Sequence, residues 1–127
     1  MDLALVDHNK AISLNPNYAV FYTIRGLFYA DQGKLDLALA DYNKGISLNP
    51  NDAEAYYNRA SFYEDQGKPE LALADYNKAL ALNPNYTKAY YNLGWLYQQM
   101  GNTEAARSNL QKARQLLRDQ GRTADAE

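Results

Sequence analysis

Apolar positions along this chain keep two helical rhythms that alternate. In Ala53–Gln66, AEAYYNRASFYEDQ, residues Ala53, Tyr56, Ala60 and Tyr63 recur at i, i+3, i+7 and i+10. That spacing lays them on one helix face. In Glu70–Leu82, residues Ala72, Leu73, Tyr76, Ala79 and Leu80 do the same. Breakers fall between the two segments. Gly33, Gly67 and Gly101 follow the first segment of each unit, where a left-handed cap suits glycine. Pro69 opens a second segment, at a position whose N–H is not needed. Asn-Pro-Asn closes the second segments, because a residue before proline is driven out of helix. The second asparagine is placed to cap the next helix, and Asn51 with Glu54 has capping-box spacing.

The pattern repeats. Pro16, Pro50 and Pro84 stand 34 residues apart (50 − 16 and 84 − 50). DLALADYNKGISLNPND, from Asp36, returns as ELALADYNKALALNPNY, from Glu70, and a close variant opens the chain. A fixed period of this size marks a repeat architecture in which each unit is one helix pair. The units read as a half-repeat at 1–18, full repeats at 19–52, 53–86 and 87–118, and a polar tail at 119–127 expected to be disordered.

These residues resemble the tetratricopeptide repeat family, whose 34-residue unit carries W-x2-L-G-x2-Y, then A-x3-F, then P. Here the pattern reads Tyr22, Arg25, Gly26, Tyr29, Ala38, Tyr42, Pro50; then Tyr56, Arg59, Ala60, Tyr63, Ala72, Tyr76, Pro84; then Tyr90, Leu93, Gly94, Tyr97, Ala106, Leu110. Arg25 and Arg59 replace the usual leucine without threatening the fold. The expected fold is all-α, a solenoid of antiparallel helix pairs with seven helices, starting on a half-repeat. Gly26, Ala60 and Gly94 are expected to face Ala38, Ala72 and Ala106, bringing paired backbones close. Stacked units then share a continuous core.

The two ends differ. Leu39, Leu73, Ile46 and Leu80 sit where a second helix packs on the next repeat; the last unit has Arg107 and Arg114 there, a polar closing face. Met1–Leu14 is a second helix without its first helix. Its Leu5 and Ile12 are expected to pack on Tyr18–Gln32, while Ala4, His8 and Ala11 would face a missing partner. Two readings follow: a piece of a longer repeat protein, or an edge used for pairing with a second copy, with Val20, Ile24 and Leu27 as further edge residues.

Charge and composition narrow the chemistry. Net charge is −2 with no run of like sign, which argues against a basic nucleic-acid face. There is no cysteine, so no disulfide, thiolate nucleophile or cysteine metal site. No apolar run approaches the ~18 residues of a membrane span. No compartment is legible, and the cytoplasm is the default. Phosphate-loop, nucleophile-elbow and HExxH patterns are missing. The lone His8 occupies a tyrosine slot of the repeat, and Glu54, Glu64 and Asp65 read as a solvated face. No catalytic residue, cofactor or metal is expected.

The resemblance implies a concave groove lined by the first helix of each repeat, and a protein or peptide as partner. The groove row is Val20, Thr23, Ile24, Leu27 and Asp31; then Glu54, Tyr57, Asn58, Ser61 and Asp65; then Lys88, Tyr91, Asn92, Trp95 and Gln99. Asn58 and Asn92 offer amides suited to a peptide main chain. Tyr57, Tyr91 and Trp95 are rigid anchors. With Lys88 these form the expected partner-binding set. Chaperone-binding members clamp a C-terminal carboxylate with two lysines, two asparagines and an arginine. Only Asn58 and Lys88 match that set; Thr23, Leu27 and Asn92 take the other places. The sequence therefore does not read as a chaperone-tail receptor. The function expected is a non-enzymatic interaction scaffold, with self-assembly as a homodimer through the N-terminal edge as the alternative.

Overall fold

The computed structural model describes residues 3–126. Seven α-helices and no strand lie among them: α1 (Leu3–Leu14), α2 (Ala19–Asp31), α3 (Leu35–Leu48), α4 (Ala53–Asp65), α5 (Pro69–Leu82), α6 (Thr87–Gln99) and α7 (Thr103–Ala126). Helices α2 and α3, α4 and α5, and α6 and α7 pack as hairpins. Each hairpin meets its neighbour through α1 on α2, α3 on α4 and α5 on α6. This is the solenoid expected from the period.

The turns follow from backbone chemistry. Gly67 has φ +72°, and its N–H donates to Glu64 while Lys68 N–H donates to Tyr63, at 3.0 and 2.9 Å. That pair of bonds satisfies the last carbonyls of α4. Residues around Gly33 and Gly101 repeat the arrangement. The N-termini differ from expectation. Asp52, not Asn51, caps α4, accepting from Glu54 N–H at 3.1 Å. Helices α2 and α6 begin after Tyr18 and Tyr86 with no side-chain cap. The asparagine before proline does a different job: Asn83 Oδ1 accepts from Asn85 N–H at 3.2 Å and closes the turn itself. Tyr22 and Tyr90 then donate their hydroxyls to the carbonyls of Pro16 and Pro84, at 2.7 and 3.1 Å.

The core is a series of layers. Ala60, Ala72, Tyr76, Leu93 and Leu96 form one buried cluster, with Leu73 and Leu80 packed on it from α5. Ala38, Tyr42 and Phe62 form another, with Leu39 beside them. The small residues permit close approach: a Cβ on Gly94 would lie 2.6 Å from Leu110 Cγ and 3.4 Å from the Ala106 carbonyl oxygen. Arg107 and Arg114 are exposed on α7. Helix α7 also continues to Ala126, where a disordered tail was expected from residue 119. Leu116 is buried against the preceding structure, and Gln115 Nε2 donates to Asp119 Oδ1 at 3.0 Å one turn on. That contact carries the helix past residue 118. Glu127, like Met1 and Asp2, falls outside the described residues.

Candidate functional site

First helices touch one another in succession, α2 with α4 and α4 with α6, whereas α3, α5 and α7 do not. The stack is therefore tighter on the first-helix side, and that side is the inner one. Of the expected partner-binding residues, Trp95 is 62% exposed and Lys88 is exposed; Tyr57, Asn58, Tyr91 and Asn92 are half-buried.

An aromatic cluster joins the second and third repeats. The Tyr57 ring stacks on Tyr86 with centroids 5.2 Å apart and tilts against Tyr76 at 5.8 Å. Lys88 Nζ sits 4.8 Å from the Tyr57 centroid and 5.4 Å from that of Tyr86. An ammonium in that place is held by both ring faces. Asn92 Nδ2 donates to Tyr57 Oη at 2.9 Å and Tyr76 Oη at 3.2 Å. Its donors are thus engaged inside the protein, contrary to the expectation that they meet a peptide. Tyr76 in turn donates to Glu64 Oε1 at 2.6 Å. Glu64 is half-buried, so it departs from the solvated face expected for it. Burial, then the Glu64 carboxylate, pushes the Tyr76 phenol far above its ordinary range. Burial first, then Glu54 and Tyr57, raises Tyr86, and burial raises Tyr57 against the opposing Asn92 bond. These phenols stay neutral, and the cluster is a fixed aromatic wall.

One layer earlier the same positions hold other residues. Ala30 stands where Glu64 stands, Thr23 for Tyr57, Tyr42 for Tyr76 and Asn58 for Asn92 (each 34 residues earlier). A cavity of about 310 Å³ lies there, lined by Leu27, Asp31, Tyr42, Asn58, Ser61 and Asp65 among others. Tyr42 is 2% exposed, and its phenol is pushed up to about 12 by burial and then by the Asp31 and Asp65 carboxylates.

Sequence reasoning missed a polar ladder. Arg25 Nε and Nη2 grip Asp41 at 2.7 and 2.8 Å, and its Nη1 donates to Asn9 Oδ1 at 2.8 Å. Arg59 repeats this with Asp75 at 2.7 and 2.8 Å and with Asn43 at 2.9 Å. Asp41 and Asp75 are 5% and 6% exposed, so these are buried bidentate pairs. Each arginine also lies between two tyrosine rings, Arg59 at 5.7 Å from Tyr56 and 5.9 Å from Tyr63. Each binds a first helix to its own second helix and to the preceding one. A signal was present: Arg25 and Arg59, Asp41 and Asp75, and Asn9 and Asn43 all recur at the 34-residue period.

At the N-terminal edge, Ile12 is buried and Leu5 half-buried, as expected for packing on α2. His8 is half-buried, edge-on to Phe28 at 5.9 Å, and Ala11 is half-buried. Ala4 is exposed, as are Val20 at 41%, Ile24 at 39% and Leu27 at 42%. Among the described residues no three His, Cys, Asp or Glu side chains form a metal cluster, and no helix is long and apolar enough to cross a membrane.

Comparison with known proteins agrees with this geometry. A family profile described as tetratricopeptide repeat matches residues 51–119, and a second, TPR repeat, matches residues 26–67. No curated protein sequence matches the chain significantly. Among solved structures, a crystal structure of MamA superposes with TM-score 0.79 at 29% identity, over 89% of this chain and 66% of that one. A MamA RS-1 double mutant gives 0.81 at 25% identity, over 92% and 66%. The first TPR of Spaghetti (RPAP3), bound to the HSP90 peptide SRMEEVD, gives 0.74 at 34% identity, over 78% and 79%. The chain thus spans just under two thirds of the length of these MamA chains, at 66%.

Proposed function

Because the chain belongs to the tetratricopeptide repeat family and is built as a protein-interaction scaffold, we propose that its partner, an extended peptide or a protein segment, lies along the inner row formed by α2, α4 and α6. The observation that carries this reading is the aromatic wall. Trp95 is 62% exposed on α6, in line with Tyr91 and with the Tyr57 ring that Asn92 and Lys88 hold in place. A ring already held, as Tyr57 is, loses little entropy on binding, and aromatic anchors such as an exposed tryptophan supply much of an interface's energy. Asn58 lines the cavity of the preceding layer with Ser61 and Asp65. Asn92 positions Tyr57 rather than touching the partner.

The solved neighbour that carries an HSP90 peptide supports a peptide as the class of partner. It does not define the ligand here, since Thr23, Leu27 and Asn92 stand where a carboxylate clamp needs Lys, Asn and Arg. Like the family generally, such a site is non-enzymatic: it recognises and holds.

The test uses a phage-displayed random dodecamer library selected against the purified chain. Selected peptides should shift the emission of Trp95, the sole tryptophan. Tyr91→Ala with Trp95→Ala should weaken them at least tenfold, about 1.4 kcal/mol. Peptides indifferent to Tyr91→Ala, Trp95→Ala and Asn58→Ala together remove the inner face from consideration.

A second reading rests on the exposed Val20, Ile24 and Leu27 on α2, at 41%, 39% and 42%. Two copies meeting through this face form a homodimer that covers it. Light scattering at tens of micromolar, with Ile24→Glu and Leu27→Glu, decides: a monomer at every concentration ends this reading.

A further inference from the structure

The second and third repeats meet through a closed set of bonds. Glu64 accepts from Tyr76, and Tyr76 and Tyr57 accept from Asn92. Between the first and second repeats the equivalent residues are Ala30, Tyr42, Thr23 and Asn58. A cavity lies in both layers, about 310 Å³ beside Ala30 and about 250 Å³ beside Glu64, but Ala30 offers no carboxylate to the phenol as Glu64 does. The Tyr42 hydroxyl, on a residue 2% exposed, lines that space and makes no hydrogen bond to the described residues. Asn58, half-buried, lines it too, and its amide is likewise uncommitted. Neither is a buried orphan, so both groups are reached from the cavity and can bond a partner that enters it.

The surroundings state the partner's charge. Asp31 from the end of α2 and Asp65 from the end of α4 both line the cavity, with Ser61 between them and Asn58. No lysine, arginine or histidine is among the lining residues. Leu27, Leu35 and Phe62 supply apolar walls. A volume of about 310 Å³ is at the small end of ligand sites and fits one long side chain rather than a whole ligand. Two carboxylates, an amide oxygen and a phenol oxygen form a set of acceptors wanting donors. A metal ion is the poorer match, since two carboxylates do not make up its ligand count.

We propose that this cavity receives an arginine side chain of the partner peptide. The stem would run along Leu27 and Phe62, and the guanidinium would meet Asp31 and Asp65, with Asn58 Oδ1 and Tyr42 Oη as further acceptors. Arginine suits the site better than lysine because its five N–H donors are held in a fixed plane and its charge is lightly hydrated. The inference rests on the inner face being the binding surface, and it names the chemistry of the partner there: basic, where a carboxylate clamp would take an acidic tail.

The experiment starts from dodecamers selected against the chain. The expected consensus contains arginine at one position. In a synthetic copy, replacing that arginine by norleucine should weaken binding at least tenfold. Asp31→Asn with Asp65→Asn should weaken the arginine peptide at least tenfold and leave the norleucine peptide unchanged. Both carboxylates are exposed, so the variant should fold, which circular dichroism checks. A neutral or acidic consensus overturns the proposal. So does a norleucine swap without effect, or an arginine peptide indifferent to the Asn substitutions. If such a peptide still loses affinity on Trp95→Ala, the cavity falls and the inner-face reading stands. If it is indifferent to Trp95→Ala as well, or no peptide is selected, both fall.

Discussion

Replacing Arg59 by leucine leaves Asp75 as a buried carboxylate without its bidentate partner. The side chain of Asp75 is 8% exposed and that of Arg59 21%. Removing one member of a buried pair costs about 3–5 kcal/mol, because the remaining charge stays desolvated. The converse change, Asp75→Asn, strands a guanidinium that keeps its Asn43 contact at 2.9 Å and has an edge in water. It should cost less, about 1–3 kcal/mol. The double variant Arg59→Leu, Asp75→Asn is different, since the third repeat already uses that solution. Leu93 stands there at 1% exposure, and Asn109 turns its amide to the Ala105 carbonyl at 2.8 Å. A buried ion pair exchanged for a fitting apolar contact is often neutral. The double variant should therefore lie within about 1.5 kcal/mol of wild type, with a favourable coupling of at least about 2 kcal/mol between the sites. Urea unfolding followed by circular dichroism gives the three stabilities. Trp95 emission serves as a second probe, because repeat arrays can unfold in parts. An Arg59→Leu variant as stable as wild type would refute the reasoning, as would a double variant whose loss is the sum of the singles.

Ala60 is fully buried where α4 meets α5, so Ala60→Leu should lower stability by about 1–3 kcal/mol through overpacking, whereas Ser61→Leu, on the cavity side, should change it little. The same urea titration ranks the two, and the opposite order would mean the helix faces are misassigned. Tyr42 should also make stability depend on alkaline pH. Its folded phenol is pushed up from 10.0 to about 12, so its contribution is whole below the ordinary value and is lost as pH rises from about 10 to about 12. Melting temperatures between pH 8 and 12 should fall through that window, less steeply in Tyr42→Phe; identical slopes would contradict the burial of this ring.

What the sequence displays well is what repeats locally. The 34-residue period, the two helices per unit, the left-handed glycines and the small residues at the hairpin crossings all rest on near neighbours or on one helix face. The ladder does not. Arg59 and Asp75 are 16 residues apart on different helices, a separation with no helix-face meaning, so Arg59 looked like a mere departure from leucine. Their joint recurrence one period earlier, and joint replacement by Leu93 and Asn109 one period later, were the usable signal. Asn92 misled for a related reason. An amide on the inner row looks available until Tyr57 and Tyr76, from two other helices, are seen to take its donors. Asn51 and Asp52 are neighbours and both residue types cap well, so sequence alone does not separate them; the backbone puts Asp52 at the cap position. The tail lacks an apolar pattern, yet a helix already nucleated extends cheaply into residues such as Arg, Gln and Ala.

The variation between layers has a thermodynamic meaning. In a stacked array each unit is stabilised by its own hairpin and its nearest neighbours, so a loss in one layer is not spread through the whole chain. That locality lets successive layers differ in chemistry while sharing a backbone. The layer containing Tyr76 closes its polar groups on themselves and fixes an aromatic wall. The layer containing Tyr42 leaves a phenol, an amide and two carboxylates facing a cavity. The change from Glu64 to Ala30 removes the acceptor that holds the phenol, while Gln99 in place of Asp65 takes a carboxylate out of the later cavity. Arg25, Asp41 and Asn9 bind the helices of this layer together elsewhere in the same repeat, at 2.7 to 2.8 Å. The side chains a layer pairs hold its helices together, and those it leaves unpaired line a cavity.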